Sequence, residues 1–302
     1  MRMNHHLFNF EHIGTFVKGA TQLLHDAGVD SPRLSAELIL AHALGVRREY
    51  LLAHPERELS AAENSAAAQL LCRRALGEPV AYLLGRKEFY GREFLVNPHT
   101  LIPRPETELL VDLALEGQTH AAPEFIVDLG VGSGCILLTL LCELPGRAGL
   151  GMDISAPALA LAGENAARLR VAERCLFALA DMTRPVFKKH SLSLLISNPP
   201  YVSPNDYKTL NREVAGYEPR SALVSPQDGL RHLAALEEFA RHCLAPGGTL
   251  LLEIGSDQGR SAPALFTRAP QFWDKVETHS DLAGLPRVIR AQRGLCAKTH
   301  TV

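Results

Sequence analysis

No apolar run in this 302-residue chain approaches the roughly twenty residues that cross a bilayer, and residues 1–10 lack the uninterrupted hydrophobic core of a signal peptide. The expectation is therefore a cytoplasmic protein with no membrane partner. Cysteine carries no pattern: Cys72, Cys135, Cys142, Cys175, Cys243 and Cys296 form no C-x-x-C pair and lie largely in apolar segments, which argues against a zinc site and a disulfide framework. The thirteen histidines include no H-E-x-x-H spacing, and His5-His6 is too short for a metal site or a tag, so no metal is expected. An excess of basic charge is also missing. Lys and Arg number 31 against 33 Asp and Glu, a net charge of −2, which speaks against broad affinity for nucleic acid. Internal repeats and low-complexity tracts are absent, residues 61–68 being simply strong helix formers.

What is present centres on Asn198-Pro199-Pro200-Tyr201, which follows an apolar run at 192–196. A run of that length with polar and proline boundaries predicts a buried parallel strand, and ligands of open α/β sheets sit beyond the carboxyl ends of such strands. The Asn198 side-chain oxygen and the Pro199 carbonyl are two acceptors for the protons of a planar –NH2 group. The paired prolines stiffen the loop, and Tyr201 offers a ring to a flat substrate. An Asn-Pro turn is the plainer alternative.

Upstream, Asp128-Leu129-Gly130-Val131-Gly132-Ser133-Gly134 separates an apolar strand from an apolar helix. Glycines at alternate positions depart from the G-x-G-x-x-G dinucleotide spacing. The acidic-x-Gly-x-Gly-x-Gly pattern is similar to the first motif of the S-adenosylmethionine (SAM) methyltransferases, where the loop wraps the methionine end of the cofactor. Asp153 ends the next strand about twenty residues beyond the glycines, the usual place for a carboxylate that accepts ribose hydroxyls. Asp153 or Ser155 is also expected to cap the following helix. By the same resemblance, Asp181 and Met182, after a strand beginning near Phe177, stand beside the adenine; Met182 is equally suited to the core.

Composition divides the chain. Residues 1–12 are expected to be a flexible extension, and residues 13–84 a helical bundle, with Ser31-Pro32 as a helix start and Ser60-x-x-Glu63 as a capping box. Residues 85–98 predict a short β-hairpin linker. Residues 99–302 alternate strands and helices as in a doubly wound sheet, with a helix capped by Asp228, a break at Pro246-Gly247-Gly248, a strand at 249–254 and closing strands at 275–290.

The segments Leu101-Ile102-Pro103-Arg104-Pro105-Glu106-Thr107-Glu108, Tyr217-Glu218-Pro219-Arg220 and Asp281-Leu282-Ala283-Gly284-Leu285-Pro286-Arg287-Val288, together with the glycine loop and Asn198-Pro-Pro-Tyr, resemble the bacterial release-factor glutamine N5-methyltransferase family. The resemblance runs nearly end to end and includes Ala27 to Leu34 and Gly77 to Tyr82 in the helical part. It implies an α/β fold: a Rossmann-like, class I SAM-dependent methyltransferase sheet with a small N-terminal helical bundle for substrate recognition. It also implies transfer of a methyl group from SAM, leaving S-adenosylhomocysteine, to the glutamine of the Gly-Gly-Gln loop in class 1 release factors. Under it, Asp128, Gly130, Val131, Gly132, Ser133, Gly134, Asp153, Asp181, Met182 and Asn198 bind the cofactor. Asn198, Pro199, Pro200 and Tyr201 bind the substrate, with Asn198, Pro199 and Tyr201 at the chemistry.

Two features depart from the family: the lead-in at 1–12, and Leu192-Ser193 where Phe-Asp is common. Arg104, Glu106 and Glu108 either shape the pocket or form a charged first helical turn. The chemistry expected is alignment of a weakly nucleophilic amide nitrogen with the sulfonium methyl, without a general base. Alternatives are the sibling enzyme acting on a ribosomal-protein glutamine, an adenine-N6 methyltransferase, which should carry a basic stripe, and a non-catalytic SAM-binding module, which should have lost Asn198 or the glycines.

Overall fold

The computed structural model describes residues 10–116, 125–184 and 186–295. The chain divides into two compact units, Met1–Arg86 with Asn211–Tyr217, and Lys87–Leu210 with Glu218–Val302.

The first unit is helical: α1 (Ile13–Asp26), α2 (Pro32–Leu44), α3 (Arg48–Ala53), α4 (Ala61–Ala75) and α5 (Val80–Leu84). In α1 the buried residues Ile13, Phe16, Ala20 and Leu24 recur at helical spacing and form one stripe toward the core. The Ser60 capping box closes as its sequence predicts, with Glu63 N–H donating to Ser60 Oγ at 3.3 Å and Ser60 N–H to Glu63 Oε2 at 2.8 Å. Arg57 pairs with the same Glu63, and these bonds, Arg57 first, hold its carboxyl down at about 2. Ser31 behaves differently: its backbone is left-handed and its side chain caps nothing, so α2 starts on Pro32 alone.

Most of the expected flexible extension, residues 1–9, lies outside the described residues. Phe10 is tied to α4 in both directions by the Asn64 amide, and His12 bridges to Glu58, so residues 10–12 belong to the helical unit. The returning segment Asn211–Tyr217 is anchored in this unit by Glu213, which pairs with the buried Arg74 guanidinium at 2.7 Å, and by Asn211, which donates to Asp30.

A hairpin of β1 (Arg86–Phe89) and β2 (Arg92–Leu95) follows, with all but Arg86 in the second unit. Its turn residues Tyr90 and Gly91 both have positive φ, the geometry that matches strand twist. Seven further strands form one sheet: β3 (Phe125–Leu129), β4 (Ala148–Asp153), β5 (Cys175–Leu179), β6 (Leu192–Ser197), β7 (Leu244–Glu253), β8 (Trp273–Ser280) and β9 (Pro286–Arg293). Their order is β5-β4-β3-β6-β7-β9-β8, with β3 to β7 parallel and β9 antiparallel to both its neighbours.

Helices cover the sheet: α6 (Glu108–Glu116), α7 (Cys135–Glu143), α8 (Ala156–Arg168) and, after α9 (Arg212–Tyr217) of the helical unit, α10 (Arg231–Cys243). Alternation along β3 sends Val127 and Leu129 into a core with Leu236 and Phe239 of α10, and Ile126 into a second core with Leu110 of α6 and Leu137 of α7. Both faces of β3 are buried, as a central strand of a parallel sheet requires. Strand order reverses at β3, so a crevice is expected beyond the carboxyl ends of β3 and its neighbours.

Two local expectations are corrected. Asp228 does not cap α10; it lies in a left-handed turn with Gln227, and α10 has no side-chain cap. Residues 246–248 do not precede a strand but lie inside β7, which starts at Leu244 because its backbone already pairs with Leu192 of β6.

Candidate active site

The glycine loop leaves β3 at the reversal point. Gly130, Gly132 and Gly134 have φ of 80°, 54° and 84°, a region closed to most side chains. The loop is pinned to β4, since the Gly130 and Val131 N–H groups both donate to the Met152 carbonyl. The carbonyl of buried Ser133 accepts from the buried Asn165 amide, which also pairs with both backbone groups of Leu95 in the hairpin. Met182 reaches the loop: a Cβ on Gly130 would lie 3.2 Å from its Cε.

Asp128 is 1 % exposed, and neither carboxylate oxygen has a hydrogen-bond partner among the described residues. Burial pushes its carboxyl up to about 7; the Leu137 N–H in the first turn of α7 faces it, lowers it only in part and does not reach hydrogen-bond geometry, and the Asp153 charge raises it further. A buried, unpartnered carboxylate costs stability unless something donates to it. The orphaned pair of oxygens beneath a glycine loop therefore fits a ligand that brings an ammonium or N–H group, as the methionine end of SAM does.

Asp153 ends β4 and is already engaged. Its Oδ2 accepts from Gly132 N–H at 3.0 Å and its Oδ1 from Ser155 N–H at 2.9 Å, while Ser155 itself caps α8. Each oxygen keeps a second lone pair for a ligand hydroxyl. Ile154 follows it with 57 % of its surface exposed, an apolar face beside a polar anchor. Asp181 lies two residues past the end of β5, exposed, and accepts from the N–H and hydroxyl of Thr183; the Thr183 N–H is the main cause that lowers its carboxyl pKa.

On the other side of β3, the Ser197 hydroxyl donates to the Leu129 carbonyl, joining the end of β6 to the start of the glycine loop. Asn198 comes next. Its Nδ2 donates to Thr107 Oγ1 at 3.2 Å, and Thr107 Oγ1 donates in turn to Glu253 Oε2 at 2.7 Å. Tyr201 OH donates to the other oxygen, Glu253 Oε1, at 3.3 Å. Glu253 is 1 % exposed; burial drives its carboxyl up to about 7 against the lowering effects of Thr107, Arg287 and Tyr201. Burial, with the Glu253 charge second, keeps the Tyr201 phenol above its ordinary range, so it is a donor at neutral pH.

Pro199 and Pro200 are buried. The Tyr201 carbonyl is held by Gln258 Nε2 at 3.2 Å. Gly229 packs so closely that a Cβ there would sit 2.1 Å from that carbonyl oxygen, so only glycine fits.

Of the charged residues around Pro105, Arg104 pairs with buried Glu218, which also accepts from Ile102 N–H, and Glu108 accepts from Tyr90 N–H. Glu106 is exposed. The motif residue that reaches the site is Thr107, which no sequence pattern singles out. Glu253 and Gln258 were equally silent, although a carboxylate closing the apolar strand at 249–254 is a signal of the same kind as Asp128 closing β3.

The chain resembles known proteins over nearly its whole length. The family described as the PrmC N-terminal domain matches residues 16–85, and the methyltransferase small domain matches residues 106–215. A release factor glutamine methyltransferase from Nitratidesulfovibrio vulgaris is 49 % identical over 279 residues, covering 92 % of this chain and 94 % of that protein. Proteins of the same name from Caulobacter vibrioides and Vibrio cholerae are 42 % and 39 % identical, covering 89 % and 91 % of this chain and 92 % and 95 % of their own. Identity of this extent, carried by a chain whose glycine loop and Asn198 leave adjacent strands at the reversal point of the sheet, makes it a member of the release factor glutamine methyltransferase family.

Proposed function

We propose that this protein methylates the side-chain amide nitrogen of the glutamine in the Gly-Gly-Gln loop of class 1 translation release factors, with SAM as donor. SAM supplies an electrophilic methyl group on a sulfonium. The observation that carries the reading is the commitment of Asn198 Nδ2 to Thr107, which leaves Oδ1 as the free acceptor at the end of β6, next to the glycine loop.

A primary amide nitrogen is a poor nucleophile, because its lone pair is delocalised into its carbonyl. Asn198 Oδ1 and the Pro199 carbonyl accept its two protons and orient it. Those hydrogen bonds strengthen as positive charge grows on the nitrogen, which favours the transition state over the bound amide. Positioning supplies the rest: as the N–CH3 bond forms the S–CH3 bond breaks to release S-adenosylhomocysteine, and the proton then lost from the nitrogen passes to solvent, so no side chain is needed as a general base. Asp128 and the glycine loop hold the methionine end of the donor, Asp153 its ribose, and Ile154 with Met182 its adenine.

We assign recognition of the release factor to residues 13–84. Leu34, Tyr50, Leu52 and Leu76 are large exposed apolar residues of the helical unit, and a cleft of about 500 Å³ lined by Val17, Lys18, Arg33 and Leu52 lies among its helices. The test of function is transfer of labelled methyl from SAM to a purified class 1 release factor, beside the same factor with the loop glutamine replaced by alanine. Label confined to the first factor, mapped by mass to that glutamine, is expected. Equal labelling of both would overturn the assignment of the acceptor.

A further inference from the structure

Among the described residues Glu253 makes no hydrogen bond to Asn198 itself, yet it closes the chain of hydrogen bonds on which Asn198 depends. An ionised carboxylate only accepts. Facing Glu253, Thr107 Oγ1 must spend its single proton on Oε2, and Tyr201 OH spends its own on Oε1. With its proton committed, the Thr107 oxygen can only accept from Asn198. The amide must then turn its NH2 toward Thr107 and its Oδ1 away. This polarity follows from proton counting and does not depend on which amide atom is drawn where.

We propose that Glu253 is a positioning residue which, acting through Thr107, fixes the orientation of the Asn198 amide so that its oxygen faces the substrate. The inference rests on the amide-methylation reading above. A protonated Glu253 can donate to Thr107 instead, freeing the Thr107 proton to donate to Asn198. The amide then turns its oxygen toward Thr107 and presents NH2 to the substrate NH2, two donors facing each other. Gln258 restrains the same loop through the Tyr201 carbonyl, so the fault is confined to the amide rather than spread over the backbone.

The relay should impose a pH dependence on turnover. Glu253 is ionised above about 7, so kcat at saturating SAM rises with pH through that region and falls below it. The charged and titratable groups that reach Glu253 are Arg287 of β9, itself paired with Asp281, exposed Glu106, Tyr201 and Cys135 at the head of α7. Glu253, raised toward neutrality by burial, is the carboxyl that hydrogen-bonds to Thr107.

The experiment compares Thr107→Val, Thr107→Ser and Glu253→Gln with the wild type, using purified class 1 release factor as methyl acceptor and calorimetry for SAM. Thr107→Val keeps the shape and deletes the relay, and is expected to lower kcat by about tenfold or more, the scale of misplacing one preorganised group. SAM affinity should stay within about twofold, which also reports that the variant is folded. Thr107→Ser restores the hydroxyl and should recover kcat to within about threefold of wild type. Glu253→Gln should lose the rise of kcat between pH 6 and 8, about the pH range set by a group titrating near 7. Wild-type turnover in Thr107→Val, or an unchanged pH limb in Glu253→Gln, overturns the inference while leaving amide methylation standing. No transfer by the wild-type protein would remove the amide reading and this inference together.

Discussion

Two carboxylates are buried at the carboxyl edge of the same sheet, and burial raises both to about 7, yet their surroundings are opposite. Asp128, at the end of β3, has no partner for either oxygen among the described residues; Glu253, at the end of β7, accepts from Thr107 and Tyr201 and has Arg287 nearby. A carboxylate left unsatisfied is a site awaiting donors from a ligand, and a satisfied one is part of the apparatus that orients its neighbours. Burial and a shifted pKa alone would have classed the two together; the inventory of partners separates them.

The difference can be broken or sharpened by substitution. The largest effect is expected at Asn198→Ala, which removes the acceptor itself: turnover should fall by about 10²–10³, with SAM affinity measured by calorimetry essentially retained. Near-normal turnover would mean that the Glu253 side of the edge has no part in the chemistry. Asp153→Ala should weaken SAM by about 1.5–3 kcal/mol, the range for hydrogen bonds to a charged group, and unchanged affinity would leave Asp153 only its bonds to Gly132 and Ser155.

Asp128→Asn should act in two directions at once. Removing a buried unpartnered charge should raise the melting temperature of the ligand-free protein, while SAM binding weakens by about 1–3 kcal/mol. A fall in both would show that Asp128 has a structural partner after all. The most gradual effect is the pH dependence of ligand-free stability. A folded-state pKa raised from 3.8 to about 7 means that Asp128 favours the folded state fully below about pH 4 and loses that contribution as pH climbs through about 7. Glu253 contributes in the same sense from 4.5 upward. Denaturation curves between pH 5 and 8 should therefore flatten partly in Asp128→Asn, and further when Glu253→Gln is added. An undiminished slope would mean that other groups carry it.

Local patterns carried much of the fold and half of the site. The glycine loop, the strand before Asn198 and the Ser60 box are legible because each is written in consecutive residues whose conformation they dictate themselves. Thr107, Glu253 and Gln258 come from a turn, a strand end and a loop up to 151 positions apart, and only the sheet's register brings them to Asn198 and Tyr201. Asp228 misled for a related reason: its side chain suits a helix cap, but the left-handed turn at 227–229 turns it elsewhere. The strand through Pro246-Gly247-Gly248 was hidden because turn-forming residues were tolerated at a strand start where pairing with Leu192 had already been set.

The grouping of Asn211–Tyr217 with the helices has a consequence for how this protein could be shortened or rebuilt. The polypeptide passes between its two units three times, after Arg86, after Leu210 and after Tyr217, so the helical part is not a cassette on a single tether. A chain cut to begin at Lys87 would leave Glu213 without Arg74 and Asn211 without Asp30, stranding a segment that starts ten residues past Tyr201. Exchange of the helical part between relatives would have to carry residues 211–217 along with it, because Arg74 and Asp30 hold that segment from the helical side.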